Sequence, residues 1–226
     1  MENTKQIMEK LERYINEVEA VREKVIEGVR EIISNCRRGT QLIHRGLKDD
    51  AEKAIEEGYK KLMDLYDLTS RYAEMFRYNL VESAAREVVE AKCLLSFVKK
   101  ERLPDPEEIG VSPSSFLLGL CDAVGELRRL SIDALRRDRI EEANYYLGIM
   151  EEIYDSVMRF SNPSSILPIK KRQDRLRSII EKTRSEIAIA SCERRIREKV
   201  EEFRELVMGK EKKEEKNMDL DIDKVW

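Results

Sequence analysis

Four carboxylates stand where helical spacing would otherwise place apolar side chains. Leu80, Ala84, Ala91, Leu94, Leu95 and Val98 recur at the steps of an amphipathic helix. Glu87 falls on that stripe, three residues after Ala84 and four before Ala91, and Glu90 follows one turn on, so both side chains project to the same side. A second stripe of Phe116, Leu117, Leu120, Val124, Leu127 and Leu130 carries Asp122 and Glu126 on its flank, beside Leu118, Gly119 and Gly125. Four carboxylates partly withdrawn from water repel one another unless they are protonated or neutralised by cations. Oxygen-only donors suit Mg²⁺, with Mn²⁺ as a substitute, and do not suit zinc. A Mg²⁺ site of this kind can orient water and stabilise charge on a phosphodiester in transit. The spacing also admits a plainer reading. With 46 Asp and Glu among 226 residues, acidic pairs at helical intervals arise as ordinary surface, and the two mid-helix glycines serve equally as close helix-packing contacts.

The elements that must position these groups read as helices throughout. Apolar residues at Ile7, Leu11, Ile15, Val18, Val21, Val25, Val29, Ile32 and Ile33 predict a long first helix from about Thr4 to Leu47, bending or breaking near Gly39. A second is expected from about Asp49 to Phe76 and a third from about Asn79 to Lys100. Leu103-Pro104-Asp105-Pro106 stops that helix, because proline lacks an N–H and disfavours α geometry in the residue before it. Ser112-Pro113 starts the next with an N-cap hydroxyl and a proline at the first helical position. It runs to about Arg136, another follows from about Arg139 to Phe160, and a loop covers 162–168. A last long helix spans about Lys170 to Met208. The fold class is therefore all-α: a bundle of about six to seven helices in one domain over 1–208, followed by a charged tail at 209–226 expected to be disordered. A first helix of over 40 residues is long for a compact monomer and suggests packing against another chain.

Composition narrows the functional classes. Nine Gly and five Pro are too few for collagen or a turn-dense β-sandwich. No apolar run is long enough to span a membrane, and MENTKQIMEK has no apolar core of a secretory signal. Cys36, Cys93, Cys121 and Cys192 are isolated singles, expected as small buried hydrophobes in a reducing compartment, the cytoplasm. The net charge of −3 hides local basic clusters at Arg37-Arg38, His44-Arg45, Arg128-Arg129, Arg136 to Arg139 and Lys170 to Arg172. Such patches attract phosphates despite a near-neutral total. They read equally as solvated helix faces, the better account for Lys170 to Arg172, and His44 equally as a packing residue.

The stretch from Gly110, GVSPSSFLLGLCDAVGELRRLSIDAL, resembles the core motif of the translin family. Val111, Pro113, Phe116, Leu117, Leu118, Gly119, Asp122, Gly125, Glu126, Leu127 and Arg129 match the segment V-x-P-x-x-(aromatic)-L-L-G-x-x-D-x-x-G-E-L-x-R of its nuclease-type subunit, translin-associated factor X. Glu87-Val88-Val89-Glu90-Ala91 is similar to that subunit's E-x-V-E-A, Ile153-Tyr154-Asp155 to its (V/I)-Y-D-G with Ser156 for the glycine, and Leu42-Ile43-His44-Arg45 to its L-L-H-R. Ser115 departs from the pattern, standing where an acid often precedes the aromatic, and the connection from Arg102 to Val111 is short.

The resemblance implies a seven-helix fold, assembly into a hollow homo-octamer, and Mg²⁺-dependent endoribonuclease activity on single-stranded RNA, with single-stranded DNA as a further ligand. Carried over position by position, the metal-binding and catalytic acids are Glu87, Glu90 and Asp122, with Glu126 as an accessory. Arg37, Arg38, His44, Arg45 and Arg129 become the expected RNA contacts. The plain translin subunit lacks the E-x-V-E glutamates and the aspartate, so the retained acids point to the catalytic branch. Two other classes stay in view: a non-catalytic single-strand RNA- or DNA-binding oligomer of translin type, and a helical scaffold that handles no nucleic acid.

Overall fold

The computed structural model describes residues 2–70, 79–160 and 169–222. Among them are seven helices and no strand: α1 (Glu2–His44), α2 (Lys48–Ser70), α3 (Asn79–Lys99), α4 (Pro106–Ile109), α5 (Pro113–Leu135), α6 (Ile140–Val157) and α7 (Ile169–Ile222). The all-α expectation holds. The predicted continuation of the second helix to Phe76 and the loop at 162–168 lie outside the described residues.

One apolar core runs through the bundle. Ile32, Ile55, Leu62, Val88, Val89, Leu94, Val124, Leu127 and Met150 are fully or almost fully buried in it. α1 packs along α2 and α3, α3 lies against α5, and α5 is flanked by α6 and α7. α5 starts as its sequence demands: Ser112 is the N-cap, its hydroxyl accepts from the Ser115 amide, and Pro113 follows. The Ser115 hydroxyl in turn donates to the Glu82 carboxylate of α3, which also receives the Ser112 hydroxyl at 2.7 Å. Thus Ser115, the departure from the family pattern, is buried and joined to an acid supplied by α3.

Three helices end in the same way at one end of the bundle. Leu47 N–H reaches back to Leu42 O, Glu101 N–H to Ser96 O and Arg139 N–H to Ala134 O, each at 2.9 Å. These are six-to-one closures that satisfy terminal carbonyls and require a left-handed residue just before the donor. Gly46 (φ +81°) supplies it without cost, whereas Lys100 (φ +60°) and Asp138 (φ +58°) carry side chains there at about 1–2 kcal/mol each.

Several expectations are corrected. α1 passes straight through Gly39: a Cβ there would lie 2.5 Å from Ile55 Cγ1, so this glycine admits α2 instead of breaking α1. The first helix ends at His44, and Leu47 belongs to the turn. Leu80 is exposed at the start of α3, off the buried stripe. Cys192 is exposed, whereas Cys36, Cys93 and Cys121 are buried and free. The short α4, invisible to periodicity, is nucleated by Asp105 and Glu108 in a capping box with Pro106 at its start. α7 continues past Met208 to Ile222. Gly209 alone costs a helix about 1 kcal/mol, and the Lys and Glu that follow are good helix formers.

The outer parts of α1 and α7 are not covered by the other described residues. Ile7, Met8, Leu11 and Ile15 are exposed on α1, and Ile189, Ile196, Val200, Phe203 and Leu206 on α7. No helix among the described residues is long and apolar enough to cross a membrane.

Candidate functional site

α3 and α5 approach unusually closely, and the acids are gathered around that contact. A Cβ on Gly119 of α5 would stand 2.7 Å from both the Arg86 carbonyl oxygen and Val89 Cβ of α3. Neither a backbone oxygen nor a β-branched side chain can yield, so only glycine fits. Gly125 differs: among the described residues its Cβ would meet nothing within 4 Å, so no close helix approach there requires a glycine.

Around this crossing, Glu87 and Glu90 from α3 share one electrostatic environment with Asp122 and Glu126 from α5. Burial raises the Glu90 carboxyl to about 8, reinforced by the charges of Glu87, Asp122 and Glu126. Glu87 is also raised, first by desolvation and then by Asp122 and Glu126, with Arg37 opposing. The effect extends to Cys36 of α1, whose thiol is pushed up to about 12 by burial and by Glu87 and Glu90.

The chain answers the two helices' acids unequally. Asp122 is engaged by the Arg172 guanidinium of α7. Glu126 accepts a 2.6 Å hydrogen bond from His44 Nε2 at the end of α1, which holds its carboxyl below the ordinary range against the effect of burial. Among the described residues, the one ion pair of Glu87 is with Arg37 Nε at 4.0 Å. No hydrogen bond or ion pair reaches Glu90 among the described residues. Among those residues, no three His, Cys, Asp or Glu side chains are disposed to hold a metal ion as they stand, and Asp122 and Glu126 are each engaged by a partner within the chain. The donor chemistry still fits a hard dication: the site offers only carboxylate oxygens, and Glu90 is withdrawn from water beside three like charges.

The expected RNA contacts divide into two groups. Arg37 and Arg38 lie with Arg30, Ser34 and Gln41 along a shallow groove on α1, next to Glu87. Arg38 also pairs with Glu57 at 2.6 Å. Arg45 and Arg129 are exposed or nearly so, and Arg129 stands 3.9 Å from Glu126. His44 belongs elsewhere: its side chain is 7 % exposed, Nε2 serves Glu126, and Nδ1 lies 3.8 Å from Asp133 without a hydrogen-bond partner. It positions an acid, with its ring turned inward instead of lying on the exposed arginine surface.

Sequence reasoning assigned Arg172 to a solvated helix face, which its pairing with Asp122 corrects, and did not single out Arg30. Arg172 sits three residues after Ile169 and four before Leu176, both buried. That helical spacing marks a cation turned inward, a signal masked by the Lys170–Lys171–Arg172 run.

Comparison with known proteins places this geometry in context. The Translin family profile matches residues 20–187. The uncharacterized protein MJ0175 of Methanocaldococcus jannaschii is 29% identical over 176 residues, 77% of this chain and 78% of that protein. A crystal structure of AfC3PO superposes with a TM-score of 0.75 at 31% identity, covering 83% of this chain and 98% of that one. The structure of an AfC3PO–duplex RNA complex gives 0.76 at 29% identity over 83% and 97%. Apo-NeC3PO, at 21% identity and a TM-score of 0.74 over 81% and 96%, shares the fold.

Proposed function

The chain belongs to the translin family, and on that premise we propose that it is an RNA-binding, self-associating protein of the nuclease type. In this reading it hydrolyses single-stranded RNA with Mg²⁺, or Mn²⁺ in its place. The observation that carries it is the shared electrostatic environment of Glu87, Glu90, Asp122 and Glu126 across the α3–α5 contact, with no hydrogen bond or ion pair on Glu90 among the described residues. RNA as the ligand class is supported by the similar protein solved with duplex RNA and by the arginine groove beside Glu87. Self-association is supported by the uncovered apolar faces of α1 and α7; we take a homo-octamer as its form, and the cytoplasm, suited to the three buried free thiols, as its location. Single-stranded DNA is a second ligand in the same proposal.

Glu87, Glu90 and Asp122 would hold the metal, with Glu126 as an accessory. When bound, Mg²⁺ supplies Lewis-acid stabilisation of phosphodiester charge and a more acidic water. The chain's own residues do the rest. Arg30, Arg37 and Arg38 lie where they would track the RNA backbone, and exposed Arg45 and Arg129 extend that path. His44 orients Glu126, and Arg172 orients Asp122 and limits repulsion within the cluster. Burial of Glu90 keeps bulk water from screening these charges.

A second reading, a non-catalytic nucleic-acid-binding oligomer, is favoured by one observation: Asp122 and Glu126 are already engaged by Arg172 and His44. A labelled single-stranded RNA incubated with Mg²⁺, with EDTA, and with the Asp122→Asn protein separates the two. The nuclease reading expects Mg²⁺-dependent cleavage, none in EDTA, and a loss of about 100-fold or more in the variant with RNA binding retained. Binding without cleavage in the wild type, or undiminished cleavage by Asp122→Asn, overturns it.

A further inference from the structure

The three reversals after α1, α3 and α5 surround a cavity of about 530 Å³ on the side of His44 away from Glu126. Its walls are apolar where Ile43, Val98 and Leu130 contribute, and aromatic at Tyr145 and Tyr146. Its charges do not cancel. Each acid on the lining has a cation within the chain: Asp133 has Arg136 at 3.7 Å, Glu142 has Arg139 at 2.9 Å, and Glu141 has Arg194 at 2.9 Å.

The remaining cations are answered differently. Lys48 Nζ donates to the Val98 carbonyl at 2.9 Å, and Lys100 Nζ stands 4.9 Å above the Tyr145 ring. Both partners orient an ammonium group without removing its charge. Arg137, on the same lining, has no carboxylate partner among the described residues. α6 also begins here, and its N-cap, Arg139, makes no side-chain cap hydrogen bond, so the first amides of that helix are not capped by it. A further feature is His44, whose buried Nδ1 has no hydrogen-bond partner among the described residues.

We propose that this cavity binds a phosphomonoester attached to a nucleoside-sized body. Lys48, Lys100 and Arg137 match a dianion, which carries more charge than a phosphodiester presents at one point. The cavity lies in the size range of sites for whole small molecules, and its apolar and tyrosine walls suit a body beyond the phosphate. The shared chemistry has two sources, a free nucleoside monophosphate and the phosphorylated end of an RNA. Because the His44 ring forms part of this wall and also holds Glu126, occupancy is communicated to the acid cluster. That last consequence rests on the proposed nuclease reading, whereas the binding does not.

Calorimetric titration of the full chain with adenosine 5′-monophosphate, adenosine and inorganic phosphate tests the proposal. The monophosphate should bind saturably and adenosine at least tenfold more weakly. Arg137→Ala and Lys100→Gly should each weaken the monophosphate about tenfold. Lys100→Gly relieves a left-handed residue, so its fold should be at least as heat-stable as the wild type, and a loss of affinity there cannot be ascribed to unfolding. Asp122→Asn should bind the monophosphate normally, so the cleavage reading can fail while this one stands. Competition with 5′-phosphorylated and 5′-hydroxyl oligoribonucleotides identifies the source: tighter binding of the phosphorylated strand than of the mononucleotide assigns an RNA end, and the reverse assigns the free nucleotide. Absence of monophosphate binding, or equal affinity in wild type and both variants, overturns the proposal.

Discussion

The glutamates of α3 and the acids of α5 face one another across a single helix contact, yet the protein treats them differently. Each α5 acid has a basic partner brought from far along the chain, Arg172 from α7 and His44 from α1. Among the described residues, the α3 pair has one ion pair, the 4.0 Å approach of Arg37 to Glu87, and Glu90 feels Arg172 only as a more distant charge. A cluster neutralised throughout would be an internal ion-pair network. One left half-paired would keep an affinity for an external cation or a proton, and the proposed site rests on this unevenness.

The largest expected effect comes from making α3 resemble α5. In EDTA, the raised Glu90 carboxyl binds a proton in the folded state that the unfolded chain has already released. Its contribution to stability is therefore full below about 4.5 and is lost as pH rises through about 8. Denaturant unfolding should show Glu90→Gln gaining on the wild type by roughly 3 kcal/mol over that interval. Parallel pH profiles would show that Glu90 is not held among like charges.

Separating the two helices comes next. Gly119→Ala drives a methyl group into Arg86 O and Val89, and should cost about 2 kcal/mol of stability by overpacking. Any Mg²⁺-dependent activity should fall with it, whereas Gly125→Ala, with open space before it, should fold normally. Smaller still is Arg172→Ala, which puts Asp122 in the condition of Glu90. A loss of about 1.5 kcal/mol is expected in EDTA, with part of it recovered in Mg²⁺. An equal loss with and without the ion would make Arg172 a packing residue only.

Much of this was legible in the sequence. Ser112-Pro113 marked the start of α5, and the apolar steps around Glu87 and the flank at Asp122 put four acids on facing helix surfaces. The end of α1 and the route of its chain were less so. Gly39 looks like a break until the second helix is in place to need the gap, since tertiary contact, not local propensity, decides it. Lys100 and Asp138 occupy turns that ordinarily take Gly or Asn, so residue type gave no warning of the reversals that enclose the cavity. Arg172 was hidden by its basic neighbours, and the inward turn of His44 depends on Glu126, 82 residues away.

The central claim is that the uneven acid cluster binds a hard dication. Titration of metal-free protein with Mn²⁺, followed by electron paramagnetic resonance of the free ion, tests this without relying on catalysis. The account predicts saturable binding, displaced by Mg²⁺ and weakened at least tenfold in both Glu90→Gln and Asp122→Asn. Binding that is absent in the wild type, or unaltered in the two variants, would contradict it.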